Sequence, residues 1–375
     1  MKFTALNHNS HHTLPLKAIH NWEPTMPISR TQDHSIEHSS QISTYTSYYH
    51  GHPVAVSHQD GILTLKPTPA SKQQTWFWNP QTSTLIAGEE ADYHELLPVL
   101  ESLFGRTTSL HSISLTLSSS LQSFLLQSGI AHMSSTGHTV ISRDIFWQLS
   151  DLWLTSPNSV LYPQRLIMND SQRCHPVRPP KKTGTLYRRF IPWLEKTLSF
   201  KTLNIEKDLE RFHRWMHHPR VNEFWQQADS QEELKEYLKK LNQDAHCQTL
   251  LGCFDDIPFA YFEVYWAKED RIAPFYTADN YDRGWHLLVG EEDYRGRPWF
   301  SAWFPSLQHY LFLDDPRTQR IVSEPRHDNS RLIHHAQRLG FNILKTFDFP
   351  HKRAQLLMLS REDFFLNNRL HPLAK

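Results

Sequence analysis

Four segments in the last quarter of the chain strongly limit the fold. GWHLLVG (284–290) is typical of a strand, and EEDYRGRP (291–298) follows it as a turn that opens a helix. A second short strand, RIVSEP (320–325), precedes SRLIHHAQRLGF (330–341), a helix that ends at Gly340. Chains with this order open a wedge between two parallel strands. The side chains at the ends of those strands are therefore the first candidates for a functional site.

Length and composition indicate how many domains the chain has and which binding partners its charge favours. A chain of 375 residues is too long for one typical core, so we predict two domains. Hydrophobic residues make up 39% and aromatic residues 12%, which supports packed cores. The formal net charge is zero, so there is no global electrostatic case for binding nucleic acid or a membrane surface.

The N-terminal residues and the cysteines indicate the compartment. The first ten residues lack the apolar core of a signal peptide, and no apolar run approaches the roughly 20 residues needed to span a bilayer. The three cysteines, Cys174, Cys247 and Cys253, are widely spaced and form no CxxC pair. We therefore expect reduced thiols in a cytoplasmic protein.

The 25 histidines raise the question of a metal site. The sequence contains neither HExxH nor a Cys/His cluster at zinc spacing. His213 and His217 lie four residues apart on an expected helix and could supply two ligands, but no third ligand is recognisable nearby. We therefore predict no metal.

The chain divides near residue 180. We predict an N-terminal domain over 1–175, with the first ~50 residues flexible because they are polar, and a Pro- and Lys-rich linker over 176–185. The elements expected before the linker are hairpins at 53–67 (turning at Asp60-Gly61) and 75–88 (turning at Asn79-Pro80), and helices at 91–104, 120–130 and 143–154. No motif in this half carries recognisable chemistry. Whether it is a second copy of the C-terminal fold stays open.

The second half, residues 186–375, has clearer signals. Ser230 and Glu233 form a capping box at the start of a helix. The further elements expected here are helices at 205–219 and 299–313, a strand at 258–267, and two strands within 343–362 around Pro350-His351.

These pieces, in this order, resemble the GNAT acyltransferase superfamily over roughly residues 185–365. Four long sequence segments, called the motif words below, are similar to those of one branch, the hydroxamate-siderophore acyltransferases. They are WMHHPRVNEFW (215–225), HLLVGE (286–291), YLFLDDPRTQRIVSEPRHDN (310–329) and FDFPHKRAQLL (347–357). That branch includes the aerobactin N-hydroxylysine acetyltransferase, the alcaligin-pathway enzyme and the mycobactin lysine acyltransferase. The resemblance implies an α+β architecture. Its C-terminal GNAT fold has a mixed, mostly antiparallel sheet that splays between the fourth and fifth strands and is flanked by helices. The hairpin and helix patterns of the first half, which lies outside the resemblance, predict an N-terminal mixed α/β domain beside it.

The resemblance also implies acetyl-CoA or another acyl-CoA as co-substrate. In this superfamily a turn opens a helix, and its free N–H groups hold the cofactor pyrophosphate. Here the turn is 293–298, where Pro298 removes one donor and the two arginines can bind phosphate. Taken alone, it is also compatible with an ordinary charged turn. The expected cofactor contacts are Leu288, Val289, Arg295, Gly296, Arg297 and Asn329.

The catalytic residues implied by the branch are His286 and Asp328. Many superfamily members have a tyrosine seven residues after the equivalent of Asn329, but here that position is Ala336. A neutral imidazole at His286 can take the proton from an attacking amine. Glu324 is the alternative carboxylate, and Asp328 is equally compatible with a helix cap. No cysteine lies inside the motif words, so we expect direct transfer without an acyl-enzyme.

The implied acceptor is an N-hydroxylated amine, which is less basic than an alkylamine. We expect aromatic residues to hold its alkyl chain, and an acidic residue, Glu263 or Asp282, to pair with its distal ammonium. The aromatic candidates are Trp225, Tyr265, Trp266, Tyr276 and Trp285. Each of these rings is also compatible with a role in the core.

The predicted function is an acyl-CoA-dependent N-acyltransferase that forms a hydroxamate from N-hydroxylysine or an N-hydroxydiamine in siderophore biosynthesis. The expected partners are these small molecules, with pathway contacts to an amine N-hydroxylase or a siderophore synthetase. Two alternatives stay open: a GNAT enzyme acting on an ordinary amine, and a non-catalytic module that binds coenzyme A or a partner protein. The acyl group and the oligomeric state are left open.

Overall fold

A computed structural model of the chain describes residues 42–49, 51–69, 71–88, 90–157, 161–170 and 172–372. Most of the N-terminal stretch expected to be flexible lies outside these residues. Ser43–Tyr49, which that expectation included, forms a strand in which Tyr45 is buried. The described residues form one compact unit. Within the described ranges, no helix has the length and apolar character needed to cross a membrane.

The first part of this unit is a mixed sheet with three helices. Its strands are β1 (Ser43–Tyr49), β2 (His52–Gln59), β3 (Ile62–Leu65), β4 (Gln74–Asn79), β5 (Thr84–Ala87), β6 (Ser112–Thr116), β7 (His132–Met133) and β8 (Thr139–Ser142). Its helices are α1 (Tyr93–Arg106), α2 (Ser119–Gln127) and α3 (Arg143–Phe146). A small hairpin of β9 (Leu166–Met168) and β10 (Cys174–Pro176) follows.

The second part has its own sheet and six helices among the described residues. Its strands are β11 (Thr185–Ile191), β12 (Lys196–Thr202), β13 (Cys247–Phe254), β14 (Ile257–Trp266), β15 (Arg283–Val289), β16 (Arg320–Ser323), β17 (Asn342–Phe349) and β18 (Lys352–Ser360). Its helices are α4 (Ile205–Met216), α5 (Pro219–Trp225), α6 (Gln231–Gln243), α7 (Arg297–Asp314), α8 (Ser330–Arg338) and α9 (Arg361–Leu366).

The two sheets have the same topology. The strand order is β1-β2-β3-β4-β5-β6-β8-β7 in the first and β11-β12-β13-β14-β15-β16-β18-β17 in the second. In each sheet the fifth and sixth strands are parallel and the other neighbours are antiparallel. In each, one helix with an internal proline, α1 or α7, connects the parallel pair. The first part is therefore a second copy of the same fold, which the sequence had left open.

The two copies differ where ligands would enter. Helices α4–α6 lie between β12 and β13, whereas β2 and β3 are joined by the Asp60-Gly61 turn alone. The N-terminus of α1 is closed by a capping box between Asp92 and Glu95. The N-terminus of α7 begins at Gly296, and no side chain caps it. The first copy therefore has no helices between its second and third strands, and the N-terminus of its α1 is closed.

Most predicted elements are confirmed. Both N-terminal hairpins, the Ser230–Glu233 capping box and the paired strands around Pro350-His351 form as expected. The helix predicted over 143–154 is wrong beyond Phe146, because Leu154 instead makes a β-bridge with Tyr187. This contact with β11 overrides local helix propensity.

Tyr187 and His309 tie the two copies together. His309, in α7, is fully buried; its Nε2–H donates to the carbonyl of Trp147 at 2.6 Å, and its Nδ1 accepts from the Tyr187 hydroxyl at 2.8 Å. One hydrophobic core extends through both copies. Whether the chain has a domain boundary at 176–185 stays a prediction.

Replacing His309 by Gln should flatten the pH dependence of stability. Burial lowers the pKa of His309 to about 3, below its usual value, so in acid the unfolded chain binds a proton that the folded chain does not. Stability should fall as pH drops from about 6.5 towards 3, by about 1.4 kcal/mol per pH unit for this proton. The free energy of unfolding, measured with urea at pH 7 and pH 5, should differ less between wild type and His309→Gln at pH 5 than at pH 7. The same replacement at exposed His132 is the control. A difference in unfolding free energy between wild type and His309→Gln that is the same at both pH values would contradict this explanation.

Candidate active site

The site lies where the parallel strands β15 and β16 separate. They pair at Arg283–Ile321 and Gly284–Val322, and no further pair follows in the described residues. His286 lies two residues beyond Gly284, and Glu324 lies two residues beyond Val322. Their side chains therefore face each other across the opening between the strands.

A second carboxylate reaches the same imidazole from β14. The antiparallel register of β14 and β15 places Glu263 directly opposite His286. The imidazole Nδ1 lies 3.0 Å from Glu263 Oε2, and its Nε2 lies 2.8 Å from Glu324 Oε1. The side chains of Glu263 and Glu324 are 5% and 0% exposed, so His286 is held between two buried carboxylates.

Neighbouring donors hold both carboxylates in place. Tyr237 and Tyr261 donate their hydroxyl protons to Glu263 Oε1, the latter at 3.0 Å. Tyr265 donates to Glu324 Oε2 at 2.8 Å. Because hydrogen bonds to buried carboxylates are strong, these contacts fix the orientation of the whole group.

This environment favours a charged imidazole. Burial alone would lower the pKa of His286, but Glu324 and Glu263 outweigh it and raise that pKa to about 9. Burial raises the pKa of Glu324, and the charge and hydrogen bond of His286 more than reverse this and hold it well below its usual range. The sequence did not reveal this charged form, because it did not show that two carboxylates contact one ring, and the role of His286 as a base stays a prediction.

The structure pairs His286 with Glu324, not with Asp328. Asp328 lies in the same cavity, but its side chain is 48% exposed and forms a two-point ion pair with Arg326, at 3.1 and 2.5 Å. Glu324 was the alternative carboxylate in the sequence. The assignment of Glu324 or Asp328 as the carboxylate that takes part in the reaction stays a prediction.

The expected acceptor contacts divide between two faces of the sheet. Trp225, Glu263 and Tyr265 lie on the His286 side. Trp285 lines the cavity in part, but its ring packs on Phe304 and its Nε1 donates to Gln308. The remaining candidates have other partners: Trp266 stacks with Arg178 and Arg283, and Tyr276 donates to Asp282, which pairs with Arg320.

Two cavities meet beside His286. The histidine cavity, of about 750 Å³, contains His286, Glu324, Asp328 and Arg271 among its lining residues. The arginine cleft, of about 340 Å³, lies between α5, α7, α8 and the end of β15. Trp225, Leu287 and Asn329 line both. A group that lies at their junction would therefore be within reach of both cavities.

The arginine cleft contains all six of the predicted cofactor contacts. Among the described residues that line it, none is acidic and five are arginines: Arg220, Arg295, Arg297, Arg331 and Arg338. Leu288, Val289, Gly296 and Asn329 also line it. Asn329 caps α8 through the N–H of Leu332. A cleft with this charge and an open helix N-terminus suits a phosphate-bearing ligand.

Gly296 creates the opening above α7. Its φ of +97° favours glycine, and a Cβ at this position would meet nothing within 4 Å. The choice of glycine here therefore reflects backbone conformation, and it leaves the first N–H groups of α7 without a capping side chain. Arg220 and Arg295 both contact Glu292 beside this turn, at 2.9 and 2.6 Å.

Sequence reasoning missed four residues of the site. Arg271 and Lys352 lie beside Glu324, Tyr237 binds Glu263, and Arg220 donates to the Val289 carbonyl at 2.9 Å. Arg220 lies inside the word WMHHPRVNEFW, which could have indicated it. Arg271 lies in a loop outside every motif word, so no sequence signal marked it. Among the described residues, no group of three or more His, Cys, Asp or Glu side chains is arranged to hold a metal ion.

Comparison with known proteins agrees with the fold. The family model of the acetyltransferase (GNAT) domain matches residues 204–349. The N(6)-hydroxylysine O-acetyltransferase of Escherichia coli is 44% identical over 60% of this chain and 71% of its own length. The N(5)-hydroxyornithine:cis-anhydromevalonyl coenzyme A-N(5)-transacylase of Beauveria bassiana is 43% identical over 52% of this chain and 44% of its own. The hydroxyornithine transacylase of Ajellomyces capsulatus is 40% identical over 51% of this chain and 44% of its own.

The fold and site define an acyltransferase of the GNAT superfamily. Within it, the chain belongs to the branch of siderophore-pathway acyltransferases that includes the Escherichia coli relative. The resemblance inferred from the motif words is confirmed.

Replacing Glu324 by Gln should lower the pKa of His286, because the Glu324 charge is the largest influence that raises it. We expect the NMR titration of the His286 ring to have its midpoint near 9 in the wild type and at clearly lower pH in Glu324→Gln. Asp328→Asn is the matched control and should leave the midpoint unchanged, since Asp328 pairs with Arg326. A shift in Asp328→Asn without one in Glu324→Gln would contradict the geometry.

Proposed function

We propose that the protein transfers an acyl group from acyl-CoA to the nitrogen of an N-hydroxylated amine, forming a hydroxamate for siderophore biosynthesis. The observation that carries this proposal is the buried Glu263–His286–Glu324 group at the junction of two cavities. The names of the Escherichia coli and Beauveria bassiana relatives, with hydroxylysine and hydroxyornithine, support the acceptor class.

The arginine cleft is the proposed site of the acyl-CoA. Its arginines suit the phosphates, and the open N-terminus of α7 offers backbone donors to the pyrophosphate. The apolar side chains of Leu288, Phe300 and Trp303 suit the uncharged arm that leads to the thioester. This arrangement directs the thioester towards the junction beside His286.

His286 is the proposed base. Attack of the acceptor nitrogen on the thioester carbonyl forms the C–N bond, and breaking of the C–S bond releases the thiol. His286 takes the proton from the nitrogen and can return it to the departing sulfur, so no net proton is left on the enzyme. The carboxylates of Glu263 and Glu324 hold the ring in place and stabilise its charged form.

Transfer to the hydroxyl oxygen is the second candidate reaction. The name of the Escherichia coli relative ends in O-acetyltransferase, whereas the Beauveria bassiana name specifies N(5) transfer. N-acylation gives a hydroxamate, which binds ferric iron through two oxygens. O-acylation leaves the nitrogen as an amine, so the products differ in iron binding.

The pathway contacts expected from the sequence also remain a proposal. The first copy of the fold exposes Ile62, Phe77 and Ile86 in register across β3, β4 and β5. Exposed apolar rows of this kind support contact with another protein. The unpaired thiols of Cys174, Cys247 and Cys253 support a reducing compartment, in agreement with the cytoplasmic prediction.

Thiol release from acetyl-CoA and succinyl-CoA should be fast with N-hydroxylated acceptors and slow with the plain amines. We expect N-hydroxylysine, N-hydroxycadaverine or N-hydroxyputrescine to exceed lysine, cadaverine and putrescine by at least about tenfold in kcat/KM, because the less basic nitrogen is more often neutral near pH 7. The product should form a coloured ferric complex, as a hydroxamate does. Release with plain amines alone, or a product that does not bind iron, would overturn the proposal.

Replacing His286 by Ala should lower kcat by about 10²- to 10⁴-fold, the range for loss of a general base. Because the raised pKa of His286 keeps it protonated at pH 7, and a base acts when deprotonated, wild-type kcat/KM should rise with pH towards about 9. His286→Ala should lose that rise while its affinity for coenzyme A stays within a few-fold. A variant rate within a few-fold of wild type would show that His286 is not the base.

A further inference from the structure

Three cationic groups, one of them His286, converge on the buried carboxylate of Glu324. His286 Nε2, Arg271 Nη2 and Lys352 Nζ lie 2.8, 3.3 and 3.8 Å from the same oxygen, Glu324 Oε1. Glu263 is the second carboxylate on His286, but it is buried and already accepts from Tyr237 and Tyr261. One carboxylate oxygen is therefore shared by three cationic groups.

Arg271 is the exposed member of this cluster. Its side chain is 47% exposed in the histidine cavity, whereas that of Glu324 is 0% exposed. Its Nη2 donates to Glu324 Oε1 at 3.3 Å, and among the described residues its Nε and Nη1 have no hydrogen-bond partner. The incoming acceptor therefore meets a guanidinium with free donors, and the carboxylates lie behind it.

The loop that carries Arg271 is anchored from outside the sheet. Arg178, from the segment expected to be a linker, forms a two-point ion pair with Glu269 at 2.6 and 2.5 Å, and both side chains are buried. Arg173 donates to the carbonyls of Glu269, at 2.9 Å, and of Asp270. The backbone next to Arg271 is thus held on its N-terminal side.

The other cations around the cavity have carboxylates of their own. Arg326 pairs with Asp328, and Arg353 pairs with Asp348. His246, at the far side, lies between Asp244 and Asp270, whose charge also reaches Arg271. Arg271 is therefore distinguished by its exposure and its unused donors rather than by net charge.

We propose that Arg271 binds a carboxylate of the acceptor, so that the preferred acceptor is an N-hydroxylated amino acid and not an N-hydroxydiamine. This inference rests on the proposed function and decides between the acceptor classes that it leaves open. A planar guanidinium with two free donors matches a carboxylate in two-point geometry. N-hydroxycadaverine has the same chain and distal ammonium but no carboxylate, so its ammonium would face Arg271 and Lys352 without a negative charge to offset the repulsion.

This assignment revises the expected place of the distal ammonium. Glu263 and Asp282 were the candidates for that contact, but Glu263 is saturated by His286 and two tyrosines. Asp282 lies outside the histidine cavity, paired with Arg320. The described residues that line the cavity beside His286 thus offer hydrogen-bond donors to an anion.

The test compares N6-hydroxylysine with N-hydroxycadaverine, the same chain without the carboxylate. Wild-type kcat/KM should be at least about tenfold higher for N6-hydroxylysine, since a site that binds a polar group discriminates against an analogue that lacks it. Arg271→Met should remove this preference by raising KM for N6-hydroxylysine, with N-hydroxycadaverine and acyl-CoA little affected. Arg271→Lys should retain part of the preference, because it keeps the charge but not the planar fork.

Arg211→Met is the control, since Arg211 pairs with Asp208 on α4 and lines neither cavity. It should leave the preference as in the wild type. A wild type that prefers N-hydroxycadaverine, or an Arg271→Met variant that loses the same factor of kcat/KM with both acceptors, would overturn the inference and leave hydroxamate formation standing. No turnover of either hydroxyamine by the wild type would overturn the proposed function, and this inference with it.

Discussion

The early separation of β15 and β16 is the constraint on which the site depends. Two residue pairs hold the parallel strands together, and the next side chains in register, His286 and Glu324, meet across the opening. A longer ladder would close this gap with backbone hydrogen bonds and leave no path to the imidazole. The register of β14 then supplies Glu263 from the other side. The Glu263–His286–Glu324 group is thus a consequence of sheet geometry and does not depend on a flexible loop.

The first copy of the fold shows what that geometry needs in addition. It has the same strand order and the same parallel pair, but α1 is capped by Asp92 and Glu95, and its sheet lacks helices equivalent to α4–α6. An anion cannot reach N–H groups that a carboxylate already occupies. The first copy instead supplies contacts that hold α7, through the Trp147 carbonyl on His309. The second copy therefore contains the candidate site, and the first copy supports it.

Local signals explain how much of this could be predicted from the sequence. The Asp60-Gly61 turn and the Ser230–Glu233 box act within a few residues, so their elements were predictable. The long motif words indicated the superfamily and His286. The raised pKa of His286 was not predictable, because it depends on Glu324 and Glu263, which the arrangement of the strands brings to one ring. Arg271 was missed for a related reason: it reaches Glu324 from a loop 53 residues away in sequence.

The most direct test of the account is the affinity of a bisubstrate compound in which N-hydroxylysine is joined to the sulfur of coenzyme A. If the arginine cleft and the histidine cavity meet beside His286, one molecule can occupy both, and linking the two ligands should tighten binding by about 10²- to 10⁴-fold over coenzyme A alone. Isothermal titration calorimetry would give both dissociation constants under the same conditions. A bisubstrate compound that binds no more tightly than coenzyme A would show that the two cavities do not form one active site.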